Sequence, residues 1–250
     1  MRLSKSRSII ASLAIVFALS MSALAPRLCA QSQGVAFTVD DLLDVANVNI
    51  ADLSADGKWL AATSGTLRDR IGIDNHRFGD PTYIAPSAVD VWIIDTQNAR
   101  AQKLFPAKRQ VRGMQWSPDA TRLAFLVVKG DAFAPVIWER ASGKFVNLNL
   151  PAGKEVADNT ELEWSPDGGQ LLLTLRTDAW RKQTAERFKY ETAAPVVVHS
   201  SKEPFLAWDD LRRLSAIRSL AAYDLKTGQT RELLPETKSG PTILPRMGHF

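Results

Sequence analysis

The sequence predicts an all-β chain of repeated four-stranded antiparallel units, and three observations carry that reading. A turn motif recurs as Trp116-Ser117-Pro118-Asp119 and Trp164-Ser165-Pro166-Asp167-Gly168, with a degenerate copy at Leu53-Ser54-Ala55-Asp56-Gly57. Each copy leads into an apolar run: 58–63, 122–128 and 170–175. Each is then followed by a hairpin pattern, Val91–Arg100, Val136–Val146 or Leu220–Leu233. One strand into the turn, one out of it and a hairpin pair make four, and tandem units of this kind are the blades of a β-propeller. The predicted fold is therefore a partial β-propeller with a short N-terminal helix and a helical insertion in the third blade.

The turn is spelled by its residues. Proline presets φ near −65° at the first central position, aspartate suits the second, and glycine then accepts φ > 0. The runs that follow are apolar and bounded by turn residues, as strands buried on both faces should be. In the hairpins, glycine or asparagine (Asn98, Gly143, Gly228) is expected at the left-handed position.

Residues 1–30 stand apart. Arg2, Lys5 and Arg7 precede an uncharged apolar stretch from Ile9 to Leu24, and Leu28-Cys29-Ala30 closes with a small residue before Gln31, the pattern of a secretory signal peptide. Its uninterrupted apolar run is shorter than the ~20 residues of a spanning helix, so no stable membrane anchor is expected after cleavage. Removing Arg2, Lys5, Arg7 and Arg27 from the 31 basic residues leaves 27 against 27 acidic. The basic balance vanishes, and with it the electrostatic footprint that nucleic-acid binding requires. Cys29 is the only cysteine, so a mature exported chain would carry no disulfide.

Residues 31–49 form an N-terminal segment whose stretch 38–45 reads as a short helix. Thr38 is its cap, Asp41 closes a capping box, and Leu42, Leu43 and Val45 give it an apolar face for docking. Residues 50–250 hold three blades and the start of a fourth. From turn aspartate to hairpin acid the spacings are 39 (Asp56 to Asp95), 20 (Asp119 to Glu139) and 57 (Asp167 to Asp224). The middle blade is minimal. The outer two carry inserts between their second and third strands, at about 67–88 and 178–217. The second reads as helices over 179–190 and 207–217 around an extended 195–199. Both inserts emerge on the same side of the blades, a face suited to gating or partner contact. Residues 242–250 read as the first strand of a fourth blade, from which the chain is expected to be the N-terminal part of a longer protein.

Candidate chemistry is sparse. His76, His199 and His249 lack metal-site spacing and read as loop histidines. Asp209 and Asp210 are adjacent on a helix and so do not share a face. Asp56, Asp119 and Asp167 are explained by turn formation. Arg181, Arg187 and Lys189, interleaved with Trp180, Phe188 and Tyr190, read as an amphipathic helix on the propeller rim. The same helix supplies the binding candidates Arg181, Arg187 and Tyr190; the first insert adds His76 and Arg77. No cofactor or metal is called for.

The leader, the Thr38-Val39-Asp40-Asp41-Leu42-Leu43 helix, the Trp-Ser-Pro-Asp-Gly turns and the Tyr223-Asp224-Leu225-Lys226-Thr227-Gly228 hairpin resemble the N-terminal portion of secreted bacterial serine peptidases of the prolyl oligopeptidase family, of acylaminoacyl or dipeptidyl type. The resemblance covers about residues 36–250. It implies a propeller capping a C-terminal α/β-hydrolase domain and admitting peptides to a Ser-Asp-His triad. That domain would be this region's partner in the same polypeptide. No Gly-x-Ser-x-Gly is present, so no catalytic residue carries over. The paired glutamates with which dipeptidyl members hold a substrate amino terminus are also missing. Propellers of the Tol-associated periplasmic type carry similar turns, and a non-catalytic binding propeller is the alternative.

Overall fold

A computed structural model describes residues 36–193, 201–202 and 207–237. The leader, the extended 195–199, His199, His249 and the fourth-blade strand 242–250 lie outside the described residues. Helix α1 (Val39–Leu43) carries the expected capping box. Asp41 Oδ2 accepts from Thr38 N–H at 2.8 Å and from the Thr38 hydroxyl at 2.7 Å, and Asp41 N–H donates back to Thr38 Oγ1 at 3.1 Å. Its apolar face does not bury: none of its residues is buried, and Leu42 is 48% exposed.

Three antiparallel meanders follow. The first is β1 (Ala46–Leu53), β2 (Trp59–Thr66), β3 (Asp90–Asp95) and β4 (Arg100–Lys103). The second is β5 (Val111–Trp116), β6 (Arg122–Lys129), β7 (Ala132–Glu139) and β8 (Phe145–Asn147). The third contains a short β9 (Lys154–Val156), then β10 (Glu163–Trp164), β11 (Gln170–Thr177), β12 (Arg218–Asp224) and β13 (Thr230–Thr237). This is the expected all-β partial propeller of four-stranded blades. Two details differ from expectation. The first blade begins at Ala46 rather than residue 50. The leading strand of the third blade is split: β9 pairs with Leu175–Thr177 of β11 and β10 with Leu171–Leu172, and residues 157–162 leave the ladder between them.

Alternation along β6 shows how the blades pack. Leu123 and Phe125 join Ala61, Val91 and Ile93 in one core against the first blade. Ala124 and Leu126 join Leu171, Leu173, Leu175 and Ala221 in another against the third. Every one of β6's residues 123–126 is 0% exposed, so both faces of the middle blade are core. Polar ties span the same seams: Trp116 N–H donates to Asp52 Oδ2 at 2.6 Å, and the Trp164 indole donates to Gln115 O at 3.0 Å.

The three turns share one hydrogen-bond circuit. The serine hydroxyl donates to the turn aspartate at 2.6 Å in each copy, Ser54 to Asp56, Ser117 to Asp119 and Ser165 to Asp167. The same hydroxyl accepts from the backbone N–H of Trp59, Arg122 or Gln170 at 2.9, 3.0 and 2.8 Å. Gly57, Ala120 and Gly168 occupy the left-handed position. In the first hairpin the left-handed residue is Ala99 (φ 49°), not Asn98, whose amide instead donates to Asp95 Oδ2 at 2.8 Å.

Candidate functional site: the insert face

The two inserts meet. In the first, Asp74 accepts from His76 N–H at 3.0 Å and starts a single 3-10 turn, Asn75–Arg77. Arg77 then grips Asp80 Oδ2 through Nε (2.9 Å) and Nη2 (2.7 Å), while Asp80 Oδ1 accepts from Thr82 N–H (2.8 Å) and its hydroxyl (2.7 Å). The Arg77 guanidinium lies 4.6 Å from the centroid of the Tyr83 ring. With the Asp80 side chain only 3% exposed, this pair fixes an otherwise irregular segment.

In the second insert, α2 (Ala179–Glu191) turns Trp180, Thr184 and Phe188 inward at i, i+4 spacing. Helix α3 (Ala207–Ala216) is joined to it by the Trp180 indole, which donates to Leu214 O at 2.8 Å, and by Arg187 Nε, 3.0 Å from Asp210 Oδ2. Asp209 faces elsewhere, pairing with Arg212 at 3.3 Å.

Four charged groups cluster where α2 leaves β11. Arg176, 2% exposed, places Nε 2.8 Å from Glu155 Oε1 and Nη2 2.8 Å from Asp158 Oδ1, with its guanidinium 3.4 Å from the Trp180 ring centroid. Arg181 reaches the same carboxylates, with Nη2 3.2 Å from Glu155 and 3.3 Å from Asp158. Its Nη1 donates across to Thr82 O of the first insert at 3.1 Å. Two cations against two anions leave the cluster neutral, which makes its burial affordable. A second junction lies at Gly79 (φ +82°): a Cβ there would stand 2.6 Å from Cζ3 of Trp208 on α3, so the indole rests on bare backbone.

A cavity of about 340 Å³ opens between the inserts and the β6–β7 turn of the middle blade, walled by Arg77, Tyr83, Gly130, Asp131 and Arg181. Arg77 and Arg181, candidates on separate inserts, thus come to one place. Arg187 and Tyr190 do not; they sit together elsewhere on α2, the guanidinium 5.5 Å from the ring centroid and Tyr190 73% exposed. His76 is exposed. Glu155, Asp158 and Arg176 escaped the sequence reading, although an arginine inside the strand Gln170–Thr177 is itself a sign of a buried partner.

Among the described residues no group of three or more His, Cys, Asp or Glu side chains is placed to hold a metal, and no helix is long and apolar enough to cross a membrane. The turn aspartates have lowered pKa values. At Asp56 and Asp167 the serine hydrogen bond is the main cause; at Asp119 burial pushes upward but hydrogen bonds from Ser117 and Thr121 outweigh it. The groups of the charged cluster belong to positioning: they hold the two inserts together and shape an opening.

No protein-family model matches the chain, and no curated protein matches it. Among solved structures it is similar to an oligogalacturonate lyase in complex with manganese, at 14% identity and TM-score 0.44, over 78% of this chain and 42% of that one. It is also similar to the β-propeller domain of the Trilobed protease from Pyrococcus furiosus (12% identity, TM-score 0.44, 76% and 44%). A putative TolB from Agrobacterium tumefaciens is a third (12%, TM-score 0.41, 78% and 52%). The chain thus spans about half or less of the length of these structures. The fold assignment rests on the strand order above, three successive antiparallel meanders.

Proposed function

We propose that this propeller restricts access to the hydrolase domain of an exported serine peptidase of the prolyl oligopeptidase type, admitting peptides and excluding folded proteins. The observation that carries this reading is the meeting of both inserts and the middle blade's β6–β7 turn around one opening. Long excursions from a rigid scaffold, gathered on one face, suit a component that filters what reaches a neighbouring site. The leader supports export, and the turn, hairpin and helix motifs support the family. In this reading the partner is a C-terminal α/β-hydrolase domain of the same polypeptide, and peptides are the substrates.

The rival reading, a non-catalytic periplasmic propeller of the Tol-associated type, rests on the Trp-Ser-Pro-Asp-Gly turns, which that class also carries. The coding sequence beyond Phe250 separates them. A downstream Gly-x-Ser-x-Gly followed by Asp and His, with fluorophosphonate labelling of that serine in the native exported protein, is the expected result. A stop codon after further blades would sink the peptidase reading. Residues 31–250 expressed alone should take no fluorophosphonate label on any serine.

A further inference from the structure

We infer that the first blade carries a separate binding site, a cavity of about 260 Å³ that takes a carboxylate through Arg70, Asn47 and Asn49. The repeat fixes its position. Asn47 and Gln110 each stand six residues before Leu53 and Trp116, the first residues of the turn motif. Gly65 and Val128 each stand six residues after Trp59 and Arg122, the first residues of β2 and β6. Asn47 pairs with Gly65, and Val128 N–H donates to Gln110 O at 3.1 Å, so the two pairs are equivalents in consecutive blades. Each pair lines a cavity, Gln110 and Val128 the one of about 340 Å³ and Asn47 and Gly65 this one. They differ in what is left for a ligand. The Gln110 amide donates to Ala85 O of the first insert at 2.9 Å. The carboxamides of Asn47 and Asn49 have no hydrogen-bond partner among the described residues, and both line the cavity because alternate residues of β1 share a side. Gly65 keeps the space open: a Cβ there would stand 3.1 Å from Val89 Cγ1 and 3.7 Å from Asp69 Oδ2.

Charge selects the ligand. Asp69 is in the cavity wall, but Lys108 Nζ lies 2.6 Å from its Oδ1, and Thr66 donates its N–H (2.7 Å) and hydroxyl (2.9 Å) to Oδ2. Arg68, in the same 3-10 turn Arg68–Arg70, is 2.6 Å from Asp44. Arg70 is exposed and pairs with no carboxylate among the described residues, so the wall carries one positive charge in excess. One excess charge matches a monoanion, whereas a phosphate dianion would stay half-compensated. The guanidinium fork suits a planar carboxylate. Each carboxamide adds a donor for that group and an acceptor for a neighbouring N–H. This set of groups fits a peptide end, or an acidic side chain beside its own amide. The carboxylate follows from the contacts; that it belongs to a peptide rests on the peptidase reading.

Calorimetric titration of the native exported protein tests it, after fluorophosphonate treatment so that no peptide is turned over. The probes are N-acetyl-trialanine with a free C-terminus, its C-terminal amide, the amide of N-acetyl-Ala-Asp-Ala, sodium acetate and inorganic phosphate. At least one of the two acidic peptides is expected to bind about tenfold tighter than the neutral amide. Preference for the free acid identifies a C-terminus, and preference for the aspartyl amide identifies an acidic side chain. Arg70→Gln should abolish the preference and Arg70→Lys should retain part of it, while Asn47→Ala should weaken it about threefold. Unchanged Tm serves as the folding control, since these side chains are exposed. Acetate binding that Arg70→Gln removes, with no gain from either peptide, would uphold the site and count against the peptidase reading. Equal binding of acidic and neutral peptides without acetate binding would overturn the proposal. So would a preference that survives Arg70→Gln, or phosphate binding tighter than every carboxylate.

Discussion

Ala99, Gly143 and Gly228 each stand four residues after the hairpin acid, at φ 49°, 68° and 68°, and they isolate a backbone energy that can be measured at one position in both directions. An alanine in the left-handed region costs about 1–2 kcal/mol. Replacing it by glycine removes that strain but frees the unfolded chain, at a cost of roughly 0.5–1 kcal/mol. Ala99 is exposed, so no buried methyl is lost. The net for Ala99→Gly is a gain of about 0.5–1 kcal/mol, or roughly 1–4 °C in Tm for a chain of this size. Gly143→Ala should lose a similar amount, since a Cβ there meets nothing within 4 Å and only the backbone term is left. Gly228→Ala should match it, its methyl making an ordinary 3.6 Å contact with the Tyr223 hydroxyl. Urea denaturation of the three variants at constant m-value is the assay. A destabilised Ala99→Gly, or a neutral Gly143→Ala, would refute the reasoning.

Trp164→Phe should cost about 1 kcal/mol more than Trp116→Phe in the same assay. Both rings are buried, but only the Trp164 indole donates to a backbone carbonyl, while that of Trp116 has no acceptor among the described residues. Equal losses would show that the Gln115 bond contributes nothing. Arg176→Met should destabilise by about 3–5 kcal/mol, because it strands Glu155 and Asp158 beside a single remaining arginine; a loss below about 1 kcal/mol would mean that water screens them. Because the folded-state pKa values of Asp56, Asp119 and Asp167 are lowered, their contribution is present above the unfolded carboxylate value of 3.8 and is lost as pH falls through the folded values. Stability should therefore drop on acidification below about pH 4. Ser54→Ala should flatten that dependence, and an unchanged acid profile would argue against the serine as the main cause.

Much of this architecture was legible in the residues. Turn and hairpin motifs are local, and the helices Ala179–Glu191 and Ala207–Ala216 fall where the residues of 179–190 and 207–217 read as helical. What stayed hidden depends on contacts between distant residues. Nothing periodic links Arg181 to Thr82 or Gly79 to Trp208, and of the cluster's carboxylates Glu155 lies on a strand of three residues while Asp158 lies in the irregular segment after it. The apolar face of the N-terminal helix misled for the opposite reason: amphipathic spacing says that a face could bury, while what it meets is decided elsewhere. Ala99 was missed because composition favours Asn98 at a left-handed site, and Asn98 has its side chain engaged with Asp95.

The serine in each turn gives and receives one hydrogen bond, and this dictates the grammar of the repeat. Its proton points at the aspartate, because an ionised carboxylate can only accept, while one of the hydroxyl's lone pairs takes a backbone N–H. Alanine would remove both halves of that exchange, whereas threonine keeps the hydroxyl that makes them. The neighbours are freer: Leu53 stands for tryptophan in one copy, Ala55 for proline, and Ala120 for glycine in another. Serine and aspartate two places on survive in all three. A search for worn copies of this repeat in other chains should therefore weight Ser-x-Asp above the more conspicuous tryptophan, proline and glycine.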